Sequence, residues 1–283
     1  MDVARLEFHY QVRWRSPSAR PGHHRSHHTG GGFEFAGHVP FVAEPDPRNL
    51  DVHATLHDPF GQLMVRRFRQ RSAIPVFVVA DLSASMGFTG RARKLEVLTE
   101  FTAAAAYSAY RSGDPFGFFA GDEGIRQDLC LPLRWYKGPP LEFLERLERF
   151  RPTGRTAEGL GAVVAELGRA RALVFLVSDF HAPESWWEGL FDALRGHDVI
   201  PVVLWDAAEY RDLPDWGVLS LRDPETGQTR RLVLRPSLKR RWRERFEARR
   251  VWLVELGVRH GRAPFFLENG FDADALTRYF LET

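Results

Sequence analysis

Residues 74–87 read IPVFVVADLSASMG, and this stretch decides the fold. Its first half is a continuous apolar run, β-branched or aromatic at most positions, without the alternation of a strand wetted on one face. Such a run suits a strand covered on both faces, as in a mainly parallel sheet. Two more runs of this kind follow, ALVFLV at 172–177 and VIPVVLW at 199–205. Helical patterns separate them. LEVLTEFTAAAAYSAY (95–110) follows the first run, and its four consecutive alanines favour helix. TAEGLGAVVAELGRA (156–170) precedes the second run, and ESWWEGLFDALRGH (184–197) lies between the second and third. Strands alternating with helices of this length predict a doubly wound α/β domain. FGFFAGD (116–122) and IRQDLCLPL (125–133) are expected as two further strands about a Gly/Asp turn, and PPLEFLERLERF (139–150) as a helix with proline near its first turn.

Outside this core the patterning changes. LEFHYQVRW (6–14) alternates and predicts a strand. SPSARPGHHRSHHTGGG (16–32) has the composition of a loop, and short strands are expected around 33–42 and 62–71. At the other end, ETGQ (225–228) predicts a turn between GVLSLRD and TRRLVLR, a hairpin. PSLKRRWRERFEARRVWLVELG (236–257) predicts a long helix, and a short helix closes the chain around 272–282. The expected organisation is a β-rich subdomain at 1–72, the α/β domain at 73–206 and a hairpin with a helical extension at 207–283.

Composition narrows the function. The 283 residues carry 39 Lys+Arg against 37 Asp+Glu, a formal net charge of +2. That balance argues against a chain that binds polyanions over its whole surface. A 44% hydrophobic content with 13% aromatics excludes a disordered chain. One cysteine, Cys130, excludes an internal disulfide framework and a cysteine-rich zinc site. The longest apolar runs fall well short of the ~20 residues that span a bilayer, and no signal peptide is visible, so a cytoplasmic protein without membrane insertion is expected.

Chemistry is expected where the first strand ends. Asp81-x-Ser83-x-Ser85 follows VVA directly, and open α/β sheets bind ligands in the crevice at the carboxyl ends of their strands. One carboxylate and two hydroxyls are hard oxygen donors, suited to Mg²⁺, Mn²⁺ or Ca²⁺ rather than zinc. The second apolar strand ends at Asp179, and the loop RPTGRTAEGL offers Thr156 after a glycine, with Thr153 three residues earlier.

D-L-S-A-S, a threonine in a glycine-containing loop and a strand-terminal aspartate resemble the metal-ion-dependent adhesion site of von Willebrand factor A domains, over about residues 73–206. The resemblance implies that Ser83, Ser85 and Thr156 contact a divalent cation, Mg²⁺ first with Mn²⁺ or Ca²⁺ as alternatives. It implies that Asp81 and Asp179 hold the cation's waters and the serines. Thr156 is preferred because G-R-T-A-x-x-L running into a helix resembles the family's threonine loop; Thr153 stays open as the alternative. Neutral hydroxyls leave the cation under-compensated, so its open position seeks a partner's acidic side chain. A binding protein rather than an enzyme is expected.

The flanks resemble the DUF58 family more narrowly. They are G22-x-x-R25-S26, G30-G-G-F-E34-F35, D46-x-R48-x-L-D51, L63-M-V-R66-R67-F68, L-W-D (204–206) and D-x-E-T-G (223–227). That family carries a von Willebrand A-type domain and is commonly encoded beside AAA+ ATPases of the MoxR type. Many members have N-terminal membrane helices, which this sequence lacks, and the usual acidic R-x-Y-x-x-G-D-D segment is replaced by HVPFVAEPDPRNLD. GGGFEF, QRSAIPVFVVADLSASMGF and LVFLVSDFH also resemble the member found in bacterial methanol-oxidation gene clusters. The resemblance implies an adaptor that works with a MoxR-type ATPase in maturation or metal loading of a client enzyme, methanol dehydrogenase being the candidate.

Two other classes stay in view. One is a metal-dependent phosphatase, although Ser83 stands where dehalogenase-type phosphatases want a second acidic residue. The other is a nucleic-acid binder using KRRWRERFEARR (239–250), with seven basic residues against two acidic. Trp242, Phe246, Leu253 and Leu256 fall near helical spacing there and are expected to be buried, leaving no aromatics to stack on bases. HHRSHH (23–28) is expected as a solvated loop, His181 as a structural residue or part of the partner surface, and Cys130 as a small buried residue on a strand.

Overall fold

The computed structural model describes residues 6–16, 21–212, 214–222, 227–268 and 270–282. In chain order the elements are β1 (Pro21–Pro40), α1 (Val52–Leu56), β2 (Met64–Ser72), β3 (Val76–Asp81), α2 (Lys94–Arg111), β4 (Phe116–Gly121), β5 (Leu131–Arg134) and α3 (Leu141–Arg149). They continue with α4 (Gly159–Glu166), β6 (Leu173–Ser178), α5 (Glu184–Ala193), β7 (Asp198–Leu204) and α6 (Ala207–Tyr210). The last are β8 (Gly217–Arg222), β9 (Thr229–Leu234), α7 (Pro236–Arg259), β10 (Phe265–Leu267) and α8 (Ala273–Glu282).

Six strands form one sheet in the order β10-β7-β6-β3-β4-β5. All its pairings are parallel except β4 with β5 at one edge. This is the mixed α/β architecture expected from the alternating runs, with a mostly parallel central sheet flanked by helices. Every residue of β3, β6 and β7 is buried, because both faces of the sheet are covered. Val174 and Leu176 of β6 pack with Leu160 and Val163 of α4, Trp187 and Leu190 of α5, and Leu253 and Leu256 of α7. On the opposite face the ring of Phe175 meets Phe8 at 5.9 Å, Phe101 of α2 at 5.3 Å and Phe280 of α8 at 6.3 Å. A strand between two such layers cannot carry a polar alternation, which is why the sequence shows none. Among the described residues no helix is long and apolar enough to cross a membrane.

The chain divides into two compact units. One comprises Met1–Gln11, Pro75–Arg111 and Pro115–Thr283, and contains the six-stranded sheet. The other comprises Val12–Ile74 and Ser112–Asp114. Within the second unit β1 and β2 form an antiparallel ribbon with several register shifts. Asp46 caps a 3-10 turn at Pro47–Asn49, and Asp51 caps α1 by accepting from the Ala54 amide at 3.0 Å.

Three expectations need correction. Residues 6–14 form no strand; Phe8, Tyr10 and Trp14 are buried, so the alternation records burial without ladder pairing. Residues 21–32, expected as loop, belong to the long strand β1, because pairing with β2 overrides their loop-like composition. Within it His24 is buried rather than solvated, its Nε2 lying 2.7 Å from Asp114 Oδ2; the side chains of His27 and His28 lie outside the described residues. The strand expected at 125–133 is a 3-10 turn at Gln127–Leu129 followed by the short β5, and Cys130 is only half-buried between them. The hairpin turn expected at 225–228 lies partly outside the described residues, but its strands β8 and β9 pair as read.

Candidate functional site

β3 lies between β4 and β6, so the chain leaves β3 toward one edge of the sheet and later returns to its other side. Between the carboxyl ends of β3 and β6 the strand order reverses, which opens the crevice where α/β sheets bind ligands. Asp81 is the last residue of β3, and Asp179 follows the last residue of β6. Both are 1% exposed.

Beyond Asp81 the chain cannot continue as a strand, because its next residues turn back into a 3-10 turn at Ala84–Gly87. Asp81 organises that turn: its Oδ1 accepts from the Ser83 amide at 2.8 Å. Its Oδ2 accepts from the Ser178 hydroxyl at 2.6 Å. Ser83 and Ser85 are buried, with their hydroxyl oxygens 3.2 Å apart. The threonine loop is tied to them through the backbone. Ser83 bridges Gly154, and the Ala84 amide donates to the Gly154 carbonyl at 2.8 Å. Gly154 is required there, since a Cβ would lie 2.4 Å from the Cβ of Asp122. Thr156, two residues on, is half-buried, and Thr153 is exposed. The fold thus brings the four residues Asp81, Ser83, Ser85 and Asp179 to one strand edge and the Thr156 loop against them.

The electrostatics are those of two carboxylates short of positive charge. Burial, and then the charge of Asp179, push the Asp81 carboxyl up to about 6 from an ordinary 3.8, against the opposing hydrogen bond from Ser178. Burial acts on Asp179 in the same direction, but the ammonium of Lys94 outweighs it and holds this carboxyl down at about 2, helped by His181 and Ser85. Among the described residues no cluster of three or more His, Cys, Asp or Glu side chains is placed to hold a metal. The donors that do converge are two carboxylates and the serine hydroxyls, the hard-oxygen set that fits Mg²⁺ or Mn²⁺. A dication beside Asp81 would reverse the upward push on its carboxyl, so these residues fit such an ion.

Several residues that shape the site were not singled out from the sequence. Ser178, the residue before Asp179, links the two strand ends. Its hydroxyl serves Asp81 and also accepts from the Phe180 amide at 2.9 Å. Phe180 has a left-handed φ of 55° while its ring is buried against Trp187. Non-glycine residues pay for that conformation, which persists where surroundings over-determine it. Here Trp205 Nε1 donates to the Asp179 carbonyl at 2.8 Å, and Arg249 of α7 donates to the carbonyls of Phe180 and Ala182. Lys94, the first residue of α2, lies 2.9 Å from Asp179 Oδ2. The one signal in the sequence was Lys94 itself: a lysine at a helix start opposes the helix dipole unless carboxylates hold it. His181 is exposed, its ring 5.8 Å from that of Phe246.

The basic helix is largely committed within the molecule. Lys239 pairs with Asp215 at 2.7 Å, Arg250 with Glu268 at 2.7 Å, and Arg243 donates to the Arg211 carbonyl at 3.3 Å. Leu253 and Leu256 are buried, and Trp242 and Phe246 pack partly buried against the core, as their spacing predicts.

The sequence matches the family model described as "Protein of unknown function DUF58" over residues 46–251. This chain is a DUF58 protein. Its matched region takes in the whole of the Asp81–Asp179 site. A curated relative, an "Uncharacterized protein in moxR 3'region" from Paracoccus denitrificans, is 32% identical over 99 residues, 35% of this DUF58 chain and 94% of the relative. Among solved structures, the DUF58 chain is similar to a conserved hypothetical protein BatB from Bacteroides thetaiotaomicron. That match has 13% identity and a TM-score of 0.44, and covers 74% of this chain and 98% of that one. It is also similar to an aerotolerance-related membrane protein from Bacteroides fragilis NCTC 9343. There the identity is 11% and the TM-score 0.39, with the same coverage of 74% and 98%. Likenesses this distant say nothing about function.

Proposed function

We propose that this DUF58 protein is a cation-dependent docking module of the von Willebrand A type, an adaptor that acts with a MoxR-type AAA+ ATPase and captures a partner's carboxylate. One observation carries the reading: two buried carboxylates and two hydroxyls, from separate segments, meet at the switch point of the sheet with too little positive charge to balance them. A divalent cation supplies that charge and, held largely by neutral hydroxyls, keeps an affinity for an outside carboxylate. The protein's own part is to hold the donors: Asp81 fixes the turn that carries both serines, and the Gly154 contact brings the Thr156 loop beside them. Beside the serine turn lies a groove of about 190 Å³, lined among others by Phe88, Arg93, Phe150 and Arg151. Its arginines suit an acidic partner segment and its rings a neighbouring apolar side chain. The relative named for its place 3′ of moxR supports the ATPase as partner, and the remodelled client would be an enzyme awaiting maturation or metal loading, methanol dehydrogenase being the candidate.

The test is a binding assay between the purified chain and a MoxR-type ATPase from the same organism, in Mg²⁺ and in EDTA. Binding in Mg²⁺ that is lost in EDTA and in Ser83→Ala is expected. Binding indifferent to both refutes the cation; phosphatase activity that rises with Mg²⁺ would replace the adaptor by an enzyme.

A further inference from the structure

Lys94 is 4% exposed, and its ammonium lies 2.9 Å from Asp179 Oδ2 and 2.6 Å from Glu209 Oε1. Burial works against its charge, but Asp179 and Glu209 outweigh it, and Lys94 stays a cation with its pKa raised. Helix starts disfavour positive charge, and a buried ammonium gives up its hydration, so the position is costly by two separate effects. Nothing in the packing of α2 demands a cation there, since its core positions are filled by Leu95, Leu98, Phe101 and alanines. What the ammonium does is occupy one oxygen of the carboxylate that closes the site. Its second partner, Glu209, is positioned independently. Glu209 Oε2 accepts from the Asp206 amide at 3.3 Å in a capping box of α6, and its carbonyl accepts from Trp242 Nε1 of α7 at 3.0 Å.

We propose that Lys94 is a resident counter-charge that sets the affinity of the cation site, keeping it weak until a partner carboxylate completes the ion's shell. The inference rests on the cation-site reading above. Two free carboxylates beside one dication would neutralise it and leave no demand for a third. With Lys94 on Asp179, the ion keeps surplus positive charge, which only an outside carboxylate relieves. Glu209 draws part of the Lys94 charge away from Asp179 and so sets how strongly the ammonium opposes the ion.

The two charges therefore act on the cation with opposite sign, and this separates an electrostatic role from a structural one. Mn²⁺ is titrated into the intact chain, with free ion read by electron paramagnetic resonance and folding checked by circular dichroism. In Glu209→Gln the Lys94 charge falls on Asp179 alone, and Mn²⁺ should bind several-fold more weakly than in wild type. In the double variant Lys94→Met, Glu209→Gln both buried charges are gone, and Mn²⁺ should bind about tenfold more tightly than in Glu209→Gln, the size expected of one screened charge at close range. Binding in the double variant no tighter than in Glu209→Gln, or no weakening in Glu209→Gln itself, overturns the role of Lys94. No Mn²⁺ bound by any form overturns the cation site itself and this inference with it. If the double variant does not fold, Glu209→Gln decides: weaker binding supports the counter-charge, and equal or tighter binding overturns it.

Discussion

Asp81→Asn should stabilise the metal-free protein at neutral pH while abolishing its response to a cation. The fold pushes the Asp81 carboxyl from 3.8 to about 6. At about 1.4 kcal/mol per unit, keeping it ionised at pH 7 costs the folded state about 3 kcal/mol. Asparagine has nearly the same shape and removes the charge. Its amide oxygen still accepts from the Ser83 amide, and its amide nitrogen can donate to the Ser178 oxygen. The Ser178 hydroxyl then lacks its strong acceptor, a loss of about 1–2 kcal/mol. The net gain expected at pH 7 in EDTA is therefore about 1–2 kcal/mol. The pH dependence carries the sign. Because the folded carboxyl titrates above the unfolded one, its stabilising contribution is complete below about pH 4 and is lost as the pH rises through about 6. Asp179 acts in the opposite sense, its contribution being present above about pH 4 and lost as the pH falls toward 2. Between pH 5 and 7 the metal-free wild type should thus lose stability relative to the variant. Urea unfolding at steps across that range, in EDTA and in saturating Mg²⁺, measures both effects. Mg²⁺ should stabilise the wild type and leave Asp81→Asn unchanged. A variant less stable than wild type by the same amount at every pH, with no Mg²⁺ effect on either protein, would refute the reasoning.

Two further outcomes are expected. Gly154→Ala places a Cβ 2.4 Å from the Asp122 Cβ; it should cost about 1–3 kcal/mol by crowding and weaken Mn²⁺ binding by moving the backbone that bridges Ser83, read by the same Mn²⁺ titration. Arg262→Met strands Asp198, which is buried and paired with the guanidinium through two 3.0 Å contacts. It should cost about 3–5 kcal/mol in urea unfolding, and adding Asp198→Asn should recover much of that.

The sequence by itself determined the central strands of the sheet, though not its edge strands β10 and β5. Strands covered on both faces must be apolar along their length, so 76–80, 173–177 and 199–204 could be read without knowing what covers them. It also determined which residues end those strands, and with them Asp81 and Asp179. Loop-like composition at 21–32 misled, because hydrogen bonding to β2 decides that backbone and the partners, such as Ser72 for Pro21 and Arg69 for Thr29, lie far away in the chain. The alternation at 6–14 misled for the converse reason: it records which side chains are buried, which period alone cannot distinguish from pairing. Only the tertiary structure decided the charge state of the site. Asp81 and Asp179 look alike in sequence. Lys94, 85 residues from Asp179, lowers one carboxyl, while burial with no comparable partner raises the other. Burial and distance between charges set such shifts, and both come into being only when the strand ends meet.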